Sequence, residues 1–209
     1  MRILIADDHA VLRQGLQLIL AGALKQAEFG EAADSRQTLE AVLQHPWDLV
    51  ILDLSMPGRN GLEALKELKV QRPALPVLVL SMHPEQQFAV RAFRAGAAGY
   101  LTKANASAEL VRAVERILAG GRYVSASLGE QLASELSESG RGMLHEGLSD
   151  REFEILRLIA AGRTVKEIAA ELTLSANTIS TYRARILEKM KMQTSAELTH
   201  YAISNGLVE

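Results

Sequence analysis

Asp48-Leu49-Val50-Ile51-Leu52-Asp53-Leu54-Ser55-Met56-Pro57-Gly58 is the stretch that decides the fold. Its apolar run lacks any alternation with polar residues, the pattern of a strand covered on both faces, and it stops on a carboxylate. Comparable runs at 2–6, 28–32, 77–80 and 99–101 predict four more strands around the one at 49–52. Helix-length segments separate them. Leu12, Leu16, Ile19 and Leu20 share one helical face, Leu62, Leu65, Leu68 and the stem of Lys69 another, and Leu110, Val114, Ile117 and Leu118 a last one closed by Gly120-Gly121. Strands alternating with helices in this way predict a doubly wound α/β domain with a parallel sheet.

In such a sheet ligands bind outside the carboxyl ends of the strands, so the polar residues that end the runs are the candidate site. Asp7 and Asp8 follow the first run, Asp53 ends the third, Ser81 ends the fourth, and Lys103 follows the fifth. Carboxylates gathered at one edge suit a hard divalent cation such as Mg²⁺, which takes one or two acids, a carbonyl and waters. With the acids partly neutralised, Asp53 can act as a nucleophile toward an activated phosphoryl donor, while Lys103 and the Ser81 hydroxyl bind phosphoryl oxygens. Taken singly, each is equally a cap, a turn residue or an exposed lysine; their joint placement at strand ends is the signal.

Bulk properties exclude several classes. The 209-residue chain is 48% hydrophobic and has no cysteine, so disulfides, thiolate metal sites and cysteine nucleophiles are ruled out. No apolar run approaches the ~18 residues of a membrane span, and acid arrives at Asp7, too early for a secretory signal, so a cytoplasmic protein is expected. Charge totals are uninformative: residues 1–121 hold 13 basic and 13 acidic side chains, and residues 148–209 hold 8 of each. Locally, however, Arg183, Arg185, Lys189 and Lys191 face only Glu188 between Ser175 and Lys191, a concentration that a nucleic-acid backbone would feel.

That basic segment lies in a region punctuated by helix starts. Ser149 with Glu152, Thr164 with Glu167 and Thr194 with Glu197 have capping-box spacing, Ser175 caps a further helix, and Gly162 and Gly206 supply stops. Four helices are predicted near 150–161, 165–172, 176–191 and 195–205. A short helix, a tight Thr173-Leu174 turn and a longer basic helix have the proportions of a helix-turn-helix, whose second helix enters the major groove. Its inner face carries Ile179, Ile186 and Met190 beside Ile168 and Leu172; its outer face offers Asn177, Ser180, Thr181, Ala184 and Arg185. Residues 122–147, with several serines and glycines, read as a tether, with a short helix over 128–136.

The first half resembles the receiver domains of two-component response regulators. Ile5-Ala6-Asp7-Asp8-His9, the stretch from Asp48 to Gly58, Val79-Leu80-Ser81 and Gly96-Ala97-Ala98-Gly99-Tyr100-Leu101-Thr102-Lys103 carry the likeness, over residues 1–121. It implies a flavodoxin-like fold and a phosphoryl group taken by Asp53 from a sensor histidine kinase. Mg²⁺ would lie on Asp8, Asp53 and the Ser55 carbonyl, with Asp7 acting through water. Ser81 and Tyr100 would be the switch pair, Lys103 a phosphoryl contact, and Ser55 and His83 flanking residues that tune hydrolysis. Ala104 stands where many receivers have a proline.

Residues 148–209 are similar to the LuxR-type output domain of NarL/FixJ-type regulators, through Leu148-Ser149-Asp150-Arg151-Glu152, Ile168-Ala169, Leu174-Ser175, Thr178-Ile179-Ser180-Thr181-Tyr182 and Ile186-Leu187-Glu188-Lys189-Met190. The likeness implies base-facing positions at Ser180, Thr181 and Ala184, and positions near the DNA backbone at Thr178, Tyr182, Arg185 and Lys189. Tyr182 stands where histidine is usual, and Ser180 and Ala184 where lysine often is. A non-enzymatic, dimerising transcriptional regulator of double-stranded DNA is expected. Two other readings fit less well. A dehalogenase-type phosphatase needs a second acid two residues after Asp53, where Ser55 stands, and an autoinducer sensor needs an aromatic-lined pocket, against 4% aromatics.

Overall fold

The run that opens the sequence argument is buried from Leu49 to Asp53 and forms the central strand of a five-stranded parallel sheet. In the computed structural model, which describes residues 1–56, 61–125, 128–129 and 143–208, the first unit runs β1 (Arg2–Ala6), α1 (Ala10–Ala23), β2 (Glu28–Ala32), α2 (Ser35–Gln44), β3 (Leu49–Asp53), α3 (Gly61–Gln71), β4 (Val77–Ser81), α4 (Glu85–Arg94), β5 (Gly99–Thr102) and α5 (Ala106–Leu118). Strand order β2-β1-β3-β4-β5 is the flavodoxin-like winding. Five expected strands therefore form, three of them one residue longer than their apolar runs.

Absence of alternation in β3 and β4 has the expected cause. Ile3, Ile5, Leu49, Ile51, Leu78, Leu80 and Leu101 build one core with Leu16 and Leu20 of α1 and Leu110, Ala113, Val114 and Ile117 of α5. The intervening residues Leu4, Val50, Leu52, Val77 and Val79 are buried too, as a period of two requires when helices cover the other face as well. One expectation fails: Ile19 stands 36% exposed while Leu16 and Leu20 are buried. Ile19 lies at the rim of the helical stripe, where periodicity alone leaves the boundary open. Lys69 behaves as a stem with a tethered head, its ammonium donating to the carbonyls of Pro73 at 2.6 Å and Leu75 at 2.8 Å.

The chain divides into two compact units, Met1–Leu136 and Ser137–Glu209. Both ends of the expected tether are held by their own unit. Tyr123 bridges to Gly99 at the edge of β5, is 3% exposed, and its hydroxyl donates to Glu109 at 2.6 Å. Ser125 donates to Glu85, and Leu128 is buried. The rest of the helix expected at 128–136 lies outside the described residues. At the far end, His145 packs against Phe153 and Tyr201, with its Nδ1 3.0 Å from the Tyr201 hydroxyl.

The second unit contains α6 (Asp150–Ala160), α7 (Val165–Glu171), α8 (Ala176–Met190) and α9 (Ser195–Ser204), the four expected helices to within a residue. Full capping boxes start α6 and α7. At α9 only half the box forms: Thr194 accepts from Glu197 N–H, but the Glu197 carboxylate accepts from Gln193 N–H at 2.8 Å instead of turning to Thr194. The unit is cored by Phe153, Ile155, Leu156, Ile168, Ile179, Ile186, Met190, Leu198 and Ala202. Among the described residues, no helix is long and apolar enough to cross a membrane.

A glycine fixes the approach of α3 to the end of β3. A Cβ on Gly61 would fall on the backbone of Leu54, which cannot swing aside as a side-chain tip can. Gly61→Ala is expected to lower unfolding free energy by about 1–3 kcal/mol, as overpacking does, and urea denaturation checks it. An unchanged midpoint and slope would refute the close approach.

Candidate functional site

Parallel register puts the acids together. Ala6 pairs with Leu52 and Asp53 with Leu80, while Ser81 pairs with Thr102, so the residues leaving β1, β3, β4 and β5 emerge along one edge. Asp7 and Asp53 are each 1% exposed. Lys103, in a 3-10 turn after β5, reaches across this edge: its ammonium lies 2.6 Å from Asp7 Oδ2 and 2.8 Å from Asp53 Oδ2. Asp53 Oδ1 accepts the Ser55 N–H at 3.0 Å. No described peptide bond is cis, so Lys103 reaches this position with Ala104 following it in trans.

Asp8 and His9 complete the rim. His9 N–H donates to Asp7 Oδ1 at 2.8 Å, and its Nδ1 lies 2.8 Å from Asp8 Oδ1. One ligand atom each from Asp7, Asp8, His9 and Asp53 fits within a span of 4.8 Å. Arg13, which no motif signalled, donates to the Asp7 carbonyl at 2.6 Å and to Glu31 at 2.7 Å, bracing the β1 end from α1.

The electrostatics are those of too many acids for one ammonium. Burial pushes Asp53 above the ordinary carboxylate range, against the pull of Lys103 and the Ser55 N–H, and the neighbouring Asp7 charge adds to the rise. Burial alone would pull Lys103 down, but the two carboxylates outweigh it and hold the ammonium above its ordinary range. Three carboxylates around one cationic side chain leave a local negative excess, and the donor set is hard oxygen. A divalent cation fits that set.

Ser81, at the end of β4, and Tyr100, in β5, are linked through the loop at His83. Both are 0% exposed. The Ser81 hydroxyl accepts His83 N–H at 3.1 Å, and the Tyr100 hydroxyl donates to the His83 carbonyl at 2.9 Å. The His83 ring stacks on Phe88 at 4.4 Å. Tyr100 is thus already turned inward. Two residues on, Glu85 starts α4 and accepts the Ser125 hydroxyl, a link with no signature in the sequence.

On the second unit, α7 and α8 meet through a turn in which Thr173 is left-handed, with φ 54°, and Leu174 N–H donates to Ala169 O at 2.8 Å. Ser175 then caps α8 by accepting from Thr178 N–H. Ile179, Ile186 and Met190 anchor the helix in the core, and Asn177, Ser180, Thr181, Ala184 and Arg185 are exposed. The hydroxyls of Ser180 and Thr181 donate to the carbonyls of Ala176 at 2.9 Å and Asn177 at 3.0 Å, which leaves lone pairs outward. Thr178 and Tyr182 are half-buried. Lys189, expected near the DNA backbone, is exposed and pairs with Glu152 of α6 at 2.7 Å.

Comparison with known proteins agrees with both halves. Residues 3–115 match the family described as response regulator receiver domain, and residues 146–202 match bacterial regulatory proteins, luxR family. Over 206 residues the chain is 34% identical to Response regulator UvrY of Escherichia coli (strain K12), covering 98% of this chain and 94% of that protein. Over 210 residues it is 37% identical to Transcriptional activator protein ExaE of Pseudomonas putida, covering 100% and 98%. It is also similar to the solved structure of RcsB from Salmonella enterica serovar Typhimurium bound to promoter rprA in the presence of phosphomimetic BeF3⁻, with a TM-score of 0.65 and 28% identity over 96% of this chain and 97% of that one. The chain belongs to the response regulators of the NarL/FixJ type, in which a receiver domain precedes a LuxR-type helix-turn-helix domain.

Proposed function

We propose that Asp53 is the phosphoacceptor of this regulator and that its phosphorylation controls dimerisation and DNA binding by α8. The observation that carries this reading is the buried convergence of Asp7, Asp53 and Lys103 at the carboxyl edge of the sheet. Transfer from the phosphohistidine of a sensor histidine kinase forms an O–P bond to Asp53 as the N–P bond breaks, and the leaving imidazole keeps the electron pair. Asp7, Asp8, Asp53 and the Ser55 carbonyl would hold Mg²⁺. When bound, this cation offsets the negative charge that otherwise opposes approach of a phosphoryl donor.

Lys103 then exchanges one carboxylate for phosphoryl oxygens, and Ser81 donates its hydroxyl to the same group. The residues supply a single self-modification rather than turnover. Ser81, His83 and Glu85 occupy one short loop, so a shift of Ser81 is felt by the acceptor of Tyr100 and by the acceptor of Ser125. Tyr100 acts in this reading as the buried side of the switch, fixed by the His83 carbonyl.

In our reading the receiver spans 1–121, the tether 122–147 and the output domain 148–209. Ser180, Thr181 and Ala184 face bases, with Thr178, Tyr182 and Arg185 toward the backbone, a reading supported by the exposure of Ser180, Thr181, Ala184 and Arg185 and by the uncompensated Arg183 and Arg185. One similar solved structure is that of two RcsB dimers bound to two parallel DNAs. By analogy we place this protein as a homodimer on promoter half-sites, in the cytoplasm with its kinase.

Asp53→Asn is expected to abolish labelling by acetyl phosphate with Mg²⁺, measured on phosphate-affinity gels; undiminished labelling moves the acceptor elsewhere. Phosphorylated wild type is expected to elute as a dimer and bind DNA more tightly than the same sample before labelling, and identical behaviour would remove the switch. Arg185→Ala is expected to weaken binding and lower the slope of log K against log salt by about 0.9, one phosphate contact. A slope equal to wild type argues against a backbone role for Arg185.

A further inference from the structure

We propose that Lys189 is a positioning residue of the output domain: it fixes the recognition helix α8 against α6 through Glu152 and does not neutralise a DNA phosphate. The inference rests on the DNA-binding reading above and alters how α8 achieves it.

A lysine in the last turns of a basic recognition helix is ordinarily counted among its phosphate contacts. Here its ammonium already has a partner. Lys189 Nζ lies 2.7 Å from Glu152 Oε2, and the Glu152 side chain is only 5% exposed. The same oxygen accepts Ser149 N–H at 2.7 Å, so one carboxylate joins the start of α6 to the end of α8, across 37 residues of sequence. Each charge also sits at the favourable pole of its own helix, Glu152 in the first turn of α6 and Lys189 in the last turn of α8. Phe153, Ile186 and Met190 are buried within the same unit, so these two helices are fixed by packing as well as by the pair.

Swinging Lys189 out to a phosphate would leave the Glu152 carboxylate buried with only the helix-start donors for company. Burial pushes Glu152 up, yet the Lys189 ammonium and the Ser149 donors together hold it below the ordinary carboxylate range, so it stays ionised at neutral pH. Arg183 and Arg185 on α8, and Lys191 just beyond its end, form no ion pair among the described residues and remain exposed. They are the cations that the helix can present to a backbone.

The test separates position from charge by the salt dependence of binding. Full-length Lys189→Met, Lys189→Gln, Glu152→Gln, the Lys189→Met/Glu152→Gln pair and Arg185→Ala are titrated onto a duplex selected from a random library by the wild-type protein, after melting curves confirm folding. Glutamine at 189 keeps a donor for Glu152 without a charge, so it carries the test if methionine prevents folding. Lys189→Met and Glu152→Gln are expected to lower affinity about threefold to tenfold with the wild-type slope, and the pair to cost no more than either alone. Lys189→Gln is expected to bind better than Lys189→Met, also with the wild-type slope. A fall in slope of about 0.9 in both Lys189 variants, with Glu152→Gln binding as wild type, overturns the proposal. Failure of the wild type to bind any selected duplex would instead overturn the DNA-binding reading on which it rests.

Discussion

Lys103 holds two buried carboxylates at once, Asp7 at 2.6 Å and Asp53 at 2.8 Å, and the first unit depends on that contact. Burying a charge without a partner costs several kcal/mol, so acids at 1% exposure persist only if a cation reaches them. The winding of the sheet supplies the reach. Order β2-β1-β3-β4-β5 places the β1 end beside β3, and the turn after β5 brings a long side chain over β4. One ammonium cannot balance Asp7, Asp8 and Asp53 together. The residual negative charge is what keeps the edge receptive to a divalent cation, while burial, prevailing over the ion pair, sets the upward direction of Asp53.

The second unit solves the complementary problem, of helices too short to stand alone. A helix such as α7, from Val165 to Glu171, is marginal in water without help. Its ends are therefore tied: Thr164 and Glu167 satisfy each other's backbone N–H groups, and the left-handed Thr173 lets Leu174 N–H close back onto Ala169. The angle between α7 and α8 follows from that turn. Polar chemistry in this unit is concentrated at helix ends, as in the first it is concentrated at strand ends, because those are the places where backbone groups lack partners.

Most of this was legible because it is local or periodic. Strands β3 and β4 announce themselves by unbroken apolar runs, and Ser149, Thr164 and Ser175 announce helix starts by spacing. The parallel register then turns five separated residues into one edge with no further information. What escaped was set by the third dimension. Ile19 sits where a helical stripe meets solvent, and a periodic pattern blurs there by one residue. Glu197 chose Gln193 over Thr194 because two backbone donors compete for one carboxylate. Tyr123 is buried although it lies at the edge of a serine-rich stretch that reads as a tether. Lys189 and Glu152 are unrelated in any spacing rule, and only the packing of α6 against α8 makes them partners.

The loop from Ser81 to Glu85 connects the acid edge with the chain beyond α5 through hydrogen bonds. A serine hydroxyl has one proton to give and two lone pairs. Ser81 uses a lone pair for His83 N–H, so its proton is free to follow an incoming anion without breaking that bond. Ser81 lies two residues before His83, whose carbonyl accepts the Tyr100 hydroxyl inside the core. That bond ties the position of the Tyr100 ring to the His83 peptide. The same peptide segment leads into Glu85, which holds Ser125, and Ser125 in turn accepts Leu128 N–H at 3.2 Å. The loop therefore touches the core at Tyr100 and the segment beyond α5 at Ser125.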